Sequence, residues 1–391
     1  MFEWVWDEGL WFPENSTGPR YGWKDLENKP GSDTYHPQVH DLHWSFILGV
    51  ALVGIRYLIQ KVLVEPVGYY LGVSRRKPPP LAENTVLENA YRLNKTIGPD
   101  MIKNLSKQTD MTTRKIEIWF RMRRKKEAPS PIKKFEDCSW HFIFYSIAFI
   151  YGLCVLWNKP WFWTTKHCWL TWPKSHVSND IFWYYIIEMA FYWCLIFSLM
   201  RDHRRKDFTE YVIHHVATII LLYFSWFMNF VRIGTLVLIA HDAADPWLAL
   251  AKMSKYTKHK QITEVFFVVF ILVWIISRLW YYPFVVLYSS TVEPYYIIEK
   301  TFFTHWFFNF FLYLLMVLHL MWSYSIARIV VKKLKQGQLE DVRSDSDSDK
   351  DTKKTEPDNI CDINENGVNR STVQQSANGL LKPKDTLIPS D

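Results

Sequence analysis

Residues 208–250 read FTEYVIHHVATIILLYFSWFMNFVRIGTLVLIAHDAADPWLAL and contain two consecutive apolar runs. Each run approaches the length of about 20 residues that an α-helix needs to cross a bilayer. A histidine pair, His214-His215, lies in the first run, and two aspartates, Asp242 and Asp245, lie in the second. Ionisable side chains are costly inside a membrane, so each of these four residues is a candidate functional group. The stretch therefore predicts membrane-spanning helices with polar chemistry inside them.

Comparable apolar runs recur along the chain and predict an all-α, multi-pass membrane protein with about seven transmembrane helices. The composition agrees, because 49% of the 391 residues are hydrophobic and 17% are aromatic, and Trp and Tyr concentrate where lipid meets water. We place the spans at 43–63, 139–157, 181–200, 208–228, 231–250, 262–289 and 304–331.

Basic residues cluster in alternate connections between these runs, and this pattern predicts the orientation of the chain. With the N-terminus in the lumen and the C-terminus in the cytosol, every basic segment faces the cytosol, where short Lys- and Arg-rich loops prefer to lie. These segments are 75–134, 201–207, 252–260 and 332–335. The same topology places the sequon at Asn15 in the lumen, which makes Asn15 a candidate glycosylation site.

Composition also divides the chain into segments. The acidic tail repeats SDSDSD and is poor in aromatic residues, which predicts disorder. Its Ser344, Ser346 and Ser348 each have an acidic residue three positions later, a pattern that acidophilic kinases prefer, so they are candidate phosphorylation sites. The segments are a lumenal N-terminal stretch at 1–42, a first transmembrane helix at 43–63, a linker at 66–83, a small helical cytosolic insert at 84–127, a membrane domain at 132–335 and the cytosolic tail at 340–391.

The histidine pair and the two aspartates are predicted to lie at a similar depth in the membrane. His214 is six residues from the cytosolic end of its run at Phe208, roughly 9 Å at 1.5 Å per residue. Asp245 is six residues from the cytosolic end of the next run at Ala251, and Asp242 lies three residues deeper on the same predicted helix face. Two antiparallel helices joined by a short turn bring such residues together in one buried site.

This set of residues suits acyl transfer from a thioester to an amine. A histidine can accept the proton that the amine must lose, and a buried carboxylate can fix the imidazole tautomer. Alternatively, a histidine can itself be acylated and pass the acyl group on. The competing interpretations are helix packing and a zinc site of two histidines and two aspartates. We expect no metal and no cofactor, because the repeated histidine boxes of membrane di-iron enzymes are missing from the sequence.

Further polar residues interrupt the apolar runs and are weaker candidates for lining a lipid-binding cavity. Arg278, inside the predicted span 262–289, is another such residue, and the sequence assigns it no role. The candidate substrate-binding residues are Glu188, Asn229, Arg232, His241 and His319.

The stretch 191–253 resembles the longevity-assurance motif of the ceramide synthases, which lies within the TLC domain. The sequences GWKDLE at 22–27 and KPW at 159–161 resemble the same family, and the resemblance covers residues 1 to about 345. The matching positions are Arg205-Lys206-Asp207-Phe208, His214-His215, Ser225-Trp226, Asn229, Gly234-Thr235-Leu236, His241-Asp242, Asp245 and Ala251-Lys252-Met253.

The resemblance implies a TLC-type helical barrel that N-acylates sphinganine or sphingosine, with fatty acyl-CoA as the co-substrate and membrane lipid around it. It implies that His214, His215, Asp242 and Asp245 are essential for catalysis. The implied location is the endoplasmic reticulum membrane, with the nuclear envelope as a second expectation. The resemblance is compatible with a homodimer or a heterodimer.

The insert 84–127 resembles the truncated homeobox of most animal ceramide synthases, and its sequence WFRMRR at 119–124 matches the third-helix pattern WFxNRR. In true homeodomains the Asn of this pattern reads adenine in the major groove. Met122 occupies that position here and cannot make a bidentate contact to a base edge, so base-specific DNA binding is not expected. The basic residues around it are candidates for contacts with phosphates, nucleic-acid backbone or anionic lipid. They are Arg121, Arg123, Arg124, Lys125 and Lys126.

Three functional hypotheses follow from the sequence. The leading hypothesis is an enzyme, a sphingoid-base N-acyltransferase. The second is a membrane-tethered, homeobox-like transcriptional regulator, and the third is a non-catalytic TLC protein that handles lipids. The intact histidine pair and both aspartates favour the enzyme, because neither of the other functions needs them.

Overall fold

The computed structural model describes residues 7–13, 21–74, 81–199, 208–257, 260–298 and 303–336. Several predicted features lie outside these residues, namely the sequon at Asn15, a portion of the linker, and the tail with Ser344, Ser346 and Ser348. Among the described residues, all regular secondary structure is helical.

The helices follow the apolar runs, because a backbone in lipid has to satisfy its hydrogen bonds within its own segment. In chain order they are α1 (Glu8–Trp11), α2 (Leu42–Ile59), α3 (Glu65–Tyr70), α4 (Thr85–Leu93), α5 (Pro99–Thr109), α6 (Thr113–Glu127), α7 (Pro131–Leu156), α8 (Pro160–Trp163), α9 (Asn179–Leu199), α10 (Phe208–Phe227), α11 (Val231–Asp242), α12 (Asp245–Tyr256), α13 (Lys260–Trp274), α14 (Tyr288–Ile297) and α15 (Phe303–Gln336). Short 3₁₀ turns lie at Trp23–Leu26, Val39–Asp41 and Thr165–Cys168, and π-helical segments lie at Gln60–Val64 and Ile275–Leu287.

Seven helical runs among the described residues are long and apolar enough to cross a membrane, as the sequence predicts. The second run begins inside the insert helix α6, and its apolar portion is α7. The all-α, multi-pass fold class is therefore confirmed. The runs are Val39–Tyr70, Thr113–Leu156, Asn179–Ser198, Phe208–Phe227, Val231–Tyr256, Gln261–Ile297 and Phe303–Lys335.

The last six runs pack side by side into a closed circuit. In this circuit α7 contacts α9, α9 contacts α10, and α10 contacts α15. Helix α15 packs on the π-helical segment that continues α13, α13 packs on α12, and α12 returns to α7. Helix α11 touches α7, α9, α10 and the π-helical segment, so it lies at the centre of the packing. Helix α2 packs on α9 and stays outside the circuit.

The first span is fastened to this circuit by a buried charge. Arg56 on α2 donates to the Asp137 carboxylate on α7 at 2.8 Å and to the Ser198 hydroxyl on α9. Gln60 donates to the same carboxylate at 3.2 Å. The charge that interrupts the predicted span 43–63 is therefore paired, because an unpaired charge in lipid is costly.

The segment that carries the two aspartates is interrupted between them. Helix α11 ends at Asp242, two alanines follow, and α12 begins at Asp245 with Pro246 in its first turn. Proline has no N–H to donate to the preceding turn, and its ring fits the first turn of a new helix. The backbone angles of the two alanines stay in the right-handed helical region, so the interruption is slight and the two carboxyls remain close to each other.

The end of the circuit opposite the insert is covered by the connection 157–178 and by the N-terminal segment. The Trp172 indole donates to the carbonyl of Met228 at 2.9 Å. The Trp226 indole donates to the carbonyl of Gln38 at 3.1 Å. These indoles tie irregular backbone to helix ends, so backbone groups that a helix would have satisfied find partners here.

The insert folds as three helices, α4, α5 and α6, around a small apolar core. Asn84 caps α4 by accepting from the backbone N–H of Leu87, and Thr112 caps α6 by accepting from that of Lys115. Both are residue types that cap helix N-termini well. The buried side chains of the core are Leu87, Tyr91, Leu105, Ile116, Trp119 and Phe120.

The basic third helix of the insert is partly engaged with the insert itself. The Arg123 guanidinium donates to both carboxylate oxygens of Glu88 on α4, at 2.8 and 3.0 Å. This bidentate contact holds the pKa of Glu88 below its usual range. Arg124 donates to the carbonyl of Lys95 at 3.3 Å. Arg123 and Arg124, which the sequence predicts to contact phosphates, therefore bind protein groups.

Two glycines allow tyrosines of α9 to approach neighbouring helices. A Cβ at Gly234 on α11 would overlap the Tyr185 hydroxyl, which also bonds Ser225 on α10. A Cβ at Gly152 on α7 would lie 2.8 Å from the Tyr184 hydroxyl. Both contacts are closer than a side chain tolerates, so these positions require glycine.

We expect Gly234→Ala to destabilise the membrane domain, because overpacking a tight interior costs about 1–3 kcal/mol. The apparent unfolding midpoint of the detergent-solubilised protein should fall by several degrees, about 2–8 °C for a domain of this size. Gly54→Ala is the matched control, since nothing lies within 4 Å of a Cβ at that position of α2. Equal midpoints for the two variants would contradict the proposed close approach.

We expect Arg123→Ala to loosen the insert, whereas Lys126→Ala should leave it intact. Arg123 links α6 to α4 through Glu88, while Lys126 is exposed on the same helix. The measurement is limited proteolysis of the purified full chain, followed by mapping of the cleavage sites. Faster cleavage within 81–127 for Arg123→Ala alone is the expected result, and identical cleavage of both variants would rule out a structural role for the ion pair.

Candidate active site

A cavity lies between α9, α10, α11 and α15. Its wall is mostly apolar, with Leu221, Val237 and Leu315 among the lining residues. His241 marks one end on α11, and Asn309 on α15 lies towards the other end, which the connection 157–178 covers. A long apolar cavity with few polar groups suits a hydrocarbon chain.

A chain of polar side chains begins at the His241 end of the cavity. The Nδ1 atom of His241 donates to the carbonyl of Val237 at 2.7 Å, which leaves Nε2 to face the next residue. This Nε2 lies 3.1 Å from the Nε2 of His319 on α15. Arg278 donates to the same His319 atom at 3.0 Å.

Arg278 links this histidine chain to the break between α11 and α12. One of its terminal nitrogens donates to the carbonyl of His241 at 2.6 Å and lies 3.4 Å from the Asp245 carboxylate. The carbonyl belongs to the last turn of α11, where helical carbonyls have no partner within the helix. The guanidinium therefore caps α11 and pairs with the first residue of α12.

His214 faces this polar chain from α10. Its ring stacks near that of His241, with centroids 6.2 Å apart, and its edge meets Trp322 of α15 at 5.3 Å. Its Nδ1 atom is buried, and the described residues offer it no hydrogen-bond partner. A nitrogen in this state is available to a reacting group beside the cavity.

His215 points in a different direction from His214. Successive residues of an α-helix are rotated by about 100°, so adjacent side chains cannot face the same neighbour. The His215 ring packs on Tyr211 with centroids 4.1 Å apart and on Tyr192 of α9 at 5.8 Å. The two histidines therefore contribute to the site from two sides, His214 towards α11 and α15, and His215 towards α9.

The Asp242 carboxyl faces Glu188 of α9. Both side chains are buried, and they lie close enough for one proton to be shared between them. Tyr184 and Tyr192 lie on the same face of α9 as Glu188, and both interact electrostatically with the two carboxyls. Asp242 and Asp245 thus have different surroundings, a second carboxyl for the former and a guanidinium for the latter.

Two of the predicted substrate-binding residues lie at the opposite end of α11. Asn229 donates to the carbonyls of Pro173 and Ser175 at 2.7 and 2.8 Å. Arg232 donates to the carbonyl of His167 at 2.8 Å. Their polar atoms hold the connection that covers the cavity, and the structure does not bring them to the histidines.

Arg278 is the central residue that the sequence left without a role. The sequence does indicate that Arg278 needs a partner, because a guanidinium is costly inside an apolar run. The adjacent residues of that run supply no carboxylate, so the partner has to come from another helix. Its partners come from α11, α12 and α15, which the sequence alone does not bring together. Among the described residues no group of three or more His, Cys, Asp or Glu side chains has the geometry of a metal site.

Comparison with known proteins agrees with the division into a helical insert and a membrane domain. The family model of the TLC domain matches residues 134–328, and the homeodomain model matches residues 74–128. Ceramide synthase 5 of Homo sapiens is 37% identical over 95% of this chain and 94% of its own length. Ceramide synthase 3 of Homo sapiens is 38% identical over 88% of each chain. Ceramide synthase hyl-1 of Caenorhabditis elegans is 39% identical over 59% of this chain and 65% of its own.

We expect Arg278→Ala to reduce turnover by about 10²-fold or more, as removal of a preorganised charged donor does in other buried sites. The substitution leaves Asp245 without its guanidinium and removes the donor to His319. Arg328→Ala on α15 is the matched control, because Arg328 is exposed. The measurement is product formation per amount of inserted protein, and wild-type turnover of Arg278→Ala would remove this residue from the site.

Proposed function

This chain belongs to the ceramide synthase family of TLC-domain proteins, and we propose that it transfers a fatty acyl group from CoA to the amine of sphinganine or sphingosine. As a ceramide synthase it is an N-acyltransferase and a multi-pass membrane enzyme. The proposal involves no cofactor, since acyl-CoA is a co-substrate. We place the enzyme in the endoplasmic reticulum membrane, which is continuous with the nuclear envelope, with the N-terminus lumenal and the C-terminus cytosolic.

The observation that carries the proposal is the meeting of the apolar cavity with the histidines. The cavity lining ends at His241, and the His214 ring lies beside it. A fatty acyl chain that fills the cavity with its carbonyl at this end brings the thioester to two imidazoles. Such positioning converts a bimolecular reaction into one within a single complex, which is a large share of many enzymatic rate enhancements.

The proposed chemistry needs a proton acceptor beside the thioester carbonyl. The amine nitrogen attacks that carbonyl, the C–N bond forms, the C–S bond breaks, and the thiolate leaves with one proton. His214 is the residue we assign to proton transfer or to transient acylation, because its Nδ1 atom has no protein partner within the described residues. Both routes use the same nitrogen.

The surrounding residues then position the imidazoles. Arg278 holds His319 and the end of α11, and Asp245 neutralises some of its charge. His241 is held by the Val237 carbonyl, which fixes its orientation. A polar network whose members restrain one another gives a unique geometry in a low-dielectric interior.

The two other functional hypotheses are not favoured. A non-catalytic lipid-handling protein has no need for an imidazole and a guanidinium network at the end of its cavity. A transcriptional regulator would need base-reading groups on α6, where Met122 replaces the adenine-reading Asn and Arg123 binds Glu88. For the insert we propose a supporting role at the membrane surface, where Lys125 and Lys126 meet anionic lipid.

We expect His214→Ala to abolish acyl transfer and His215→Ala to reduce it severely, while both variants insert and accumulate. The assay is ceramide formation by microsomes supplied with a fatty acyl-CoA and sphinganine. His43→Ala is the matched control, because His43 is exposed at the start of α2 and distant in sequence from the site. Wild-type turnover in His214→Ala and His215→Ala would reject the assignment, and no product from the wild-type protein would reject the proposed reaction.

A further inference from the structure

Two buried carboxyls in the membrane domain have each other as neighbours but lack a counter-ion. Glu188 on α9 and Asp242 at the end of α11 are each 1% exposed. Neither oxygen of Glu188, nor Oδ2 of Asp242, receives a hydrogen bond from the described residues. Buried polar groups without partners are rare in native proteins, and each one calls for an explanation such as a ligand.

The charged and polar groups around the pair do not supply a counter-ion. Two adjacent carboxylates repel each other in a low-dielectric interior, so both cannot be ionised without a cation between them. The groups that face them are the hydroxyls of Tyr184 and Tyr192, the Asp245 carboxylate and the more distant Arg278. Arg278 already donates to His241, His319 and Asp245, and its hydrogen bonds do not extend to the pair.

The pair lies beside the cavity and next to the reacting end. Tyr185 and Tyr192, three residues before and four residues after Glu188 on α9, both line the cavity. His241, which precedes Asp242, lines it as well. Residues at these helical spacings share one face, so Glu188 lies on the cavity-facing side of α9.

The chemistry that fits this site is a primary ammonium group. It is compact, carries a positive charge and offers three N–H donors to the carboxyl oxygens of the pair. The amine of a sphingoid base is such a group at neutral pH, because an alkylamine such as that of lysine titrates only near pH ~10.4. A hydroxyl in the same place supplies a single donor and no charge, so it leaves the negative charge of the pair without a counter-ion.

We propose that Glu188 and Asp242 together form the ammonium-binding subsite for the acyl-accepting amine, and that they take the first of its protons. This inference rests on the proposed function, since it names the groups that receive the second substrate. The pair enters the reaction with one shared proton and one negative charge. It accepts one proton from the ammonium, which becomes a neutral amine with a free lone pair.

The remaining steps balance without another reactant. The neutral amine attacks the acyl carbonyl, the C–N bond forms, and the C–S bond breaks with its electron pair on sulfur. The second nitrogen proton passes through the neighbouring imidazole to the thiolate, which leaves as the thiol. The pair then returns its extra proton to water when product leaves. Selection of an amine over an alcohol thus precedes the chemical step.

Binding of two unreactive probes to the purified full chain tests the subsite without catalysis. Sphinganine keeps the primary ammonium and forms no amide when acyl-CoA is absent, and octadecane-1,3-diol lacks the nitrogen. We expect the wild-type protein to bind the amine at least about tenfold more tightly than the diol. Glu188→Gln and Asp242→Asn should each reduce that preference to less than about threefold, since an amide removes the charge at constant volume.

Glu293→Gln is the matched control. Glu293 is also buried, but it accepts hydrogen bonds from Thr165 and Ser289 near the opposite end of the cavity. The Glu293→Gln variant should prefer the amine over the diol as strongly as the wild-type protein does. Two carboxyl variants are used so that misfolding of one, judged by gel filtration, leaves the other to decide. An unchanged preference in a folded Glu188→Gln or Asp242→Asn, or no preference in the wild type, overturns the subsite.

A kinetic measurement separates this proposal from the proposed function. Glu188→Gln should raise the KM for sphinganine at least about tenfold while the KM for acyl-CoA stays within about twofold. A purely structural role would change both constants or neither, and either of those results counts against the subsite. If the wild-type protein forms no ceramide, the proposed function fails, and the probe preference still decides whether the ammonium subsite exists.

Discussion

The guanidinium of Arg278 connects the helices that build the candidate site. It caps the end of α11, pairs with Asp245 at the start of α12 and donates to His319 on α15. A charge buried in a membrane is stable only when other groups replace its hydration, so these contacts depend on one another. The positions of His241 and His319 follow from the same restraint, because the guanidinium binds the backbone of one and the side chain of the other.

The two aspartates beside Arg278 have different nearest partners. Asp242 faces Glu188, whereas Asp245 pairs with Arg278. One carboxyl therefore has a permanent counter-ion and the other has none, which separates a structural charge from one that is available to a substrate.

The insert and the membrane domain are stabilised by different interactions, because one lies in water and the other in lipid. In the insert, Glu88 and Arg123 form a water-accessible ion pair around a small apolar core. In the membrane domain, two tyrosines of α9 enter the packing where a neighbouring helix carries glycine, at Gly152 and Gly234. Backbone approach matters there because lipid supplies no hydrophobic force between helices, so close packing has to hold them together.

The sequence by itself determined the spans, the helical insert and the candidate histidines and aspartates. Lipid imposes rules that can be read locally, since a span needs an uninterrupted apolar run and an ionisable residue inside it needs a reason. The helix caps at Asn84 and Thr112 and the helix interruption at Pro246 can also be predicted from neighbouring residues alone. These features involve residues within a few positions of each other.

Only the tertiary structure decided which polar groups meet. Arg278 lies 41 residues from His319, and Glu188 and Asp242 come from helices that are not consecutive in the chain. The sequence treated Asn229 and Arg232 like Glu188, although the first two bind the connection over the cavity and the last faces Asp242. The periodicity of the sequence shows which face of a helix is polar. It does not show which helix packs against that face, because contacts between distant segments depend on the packing of the whole circuit.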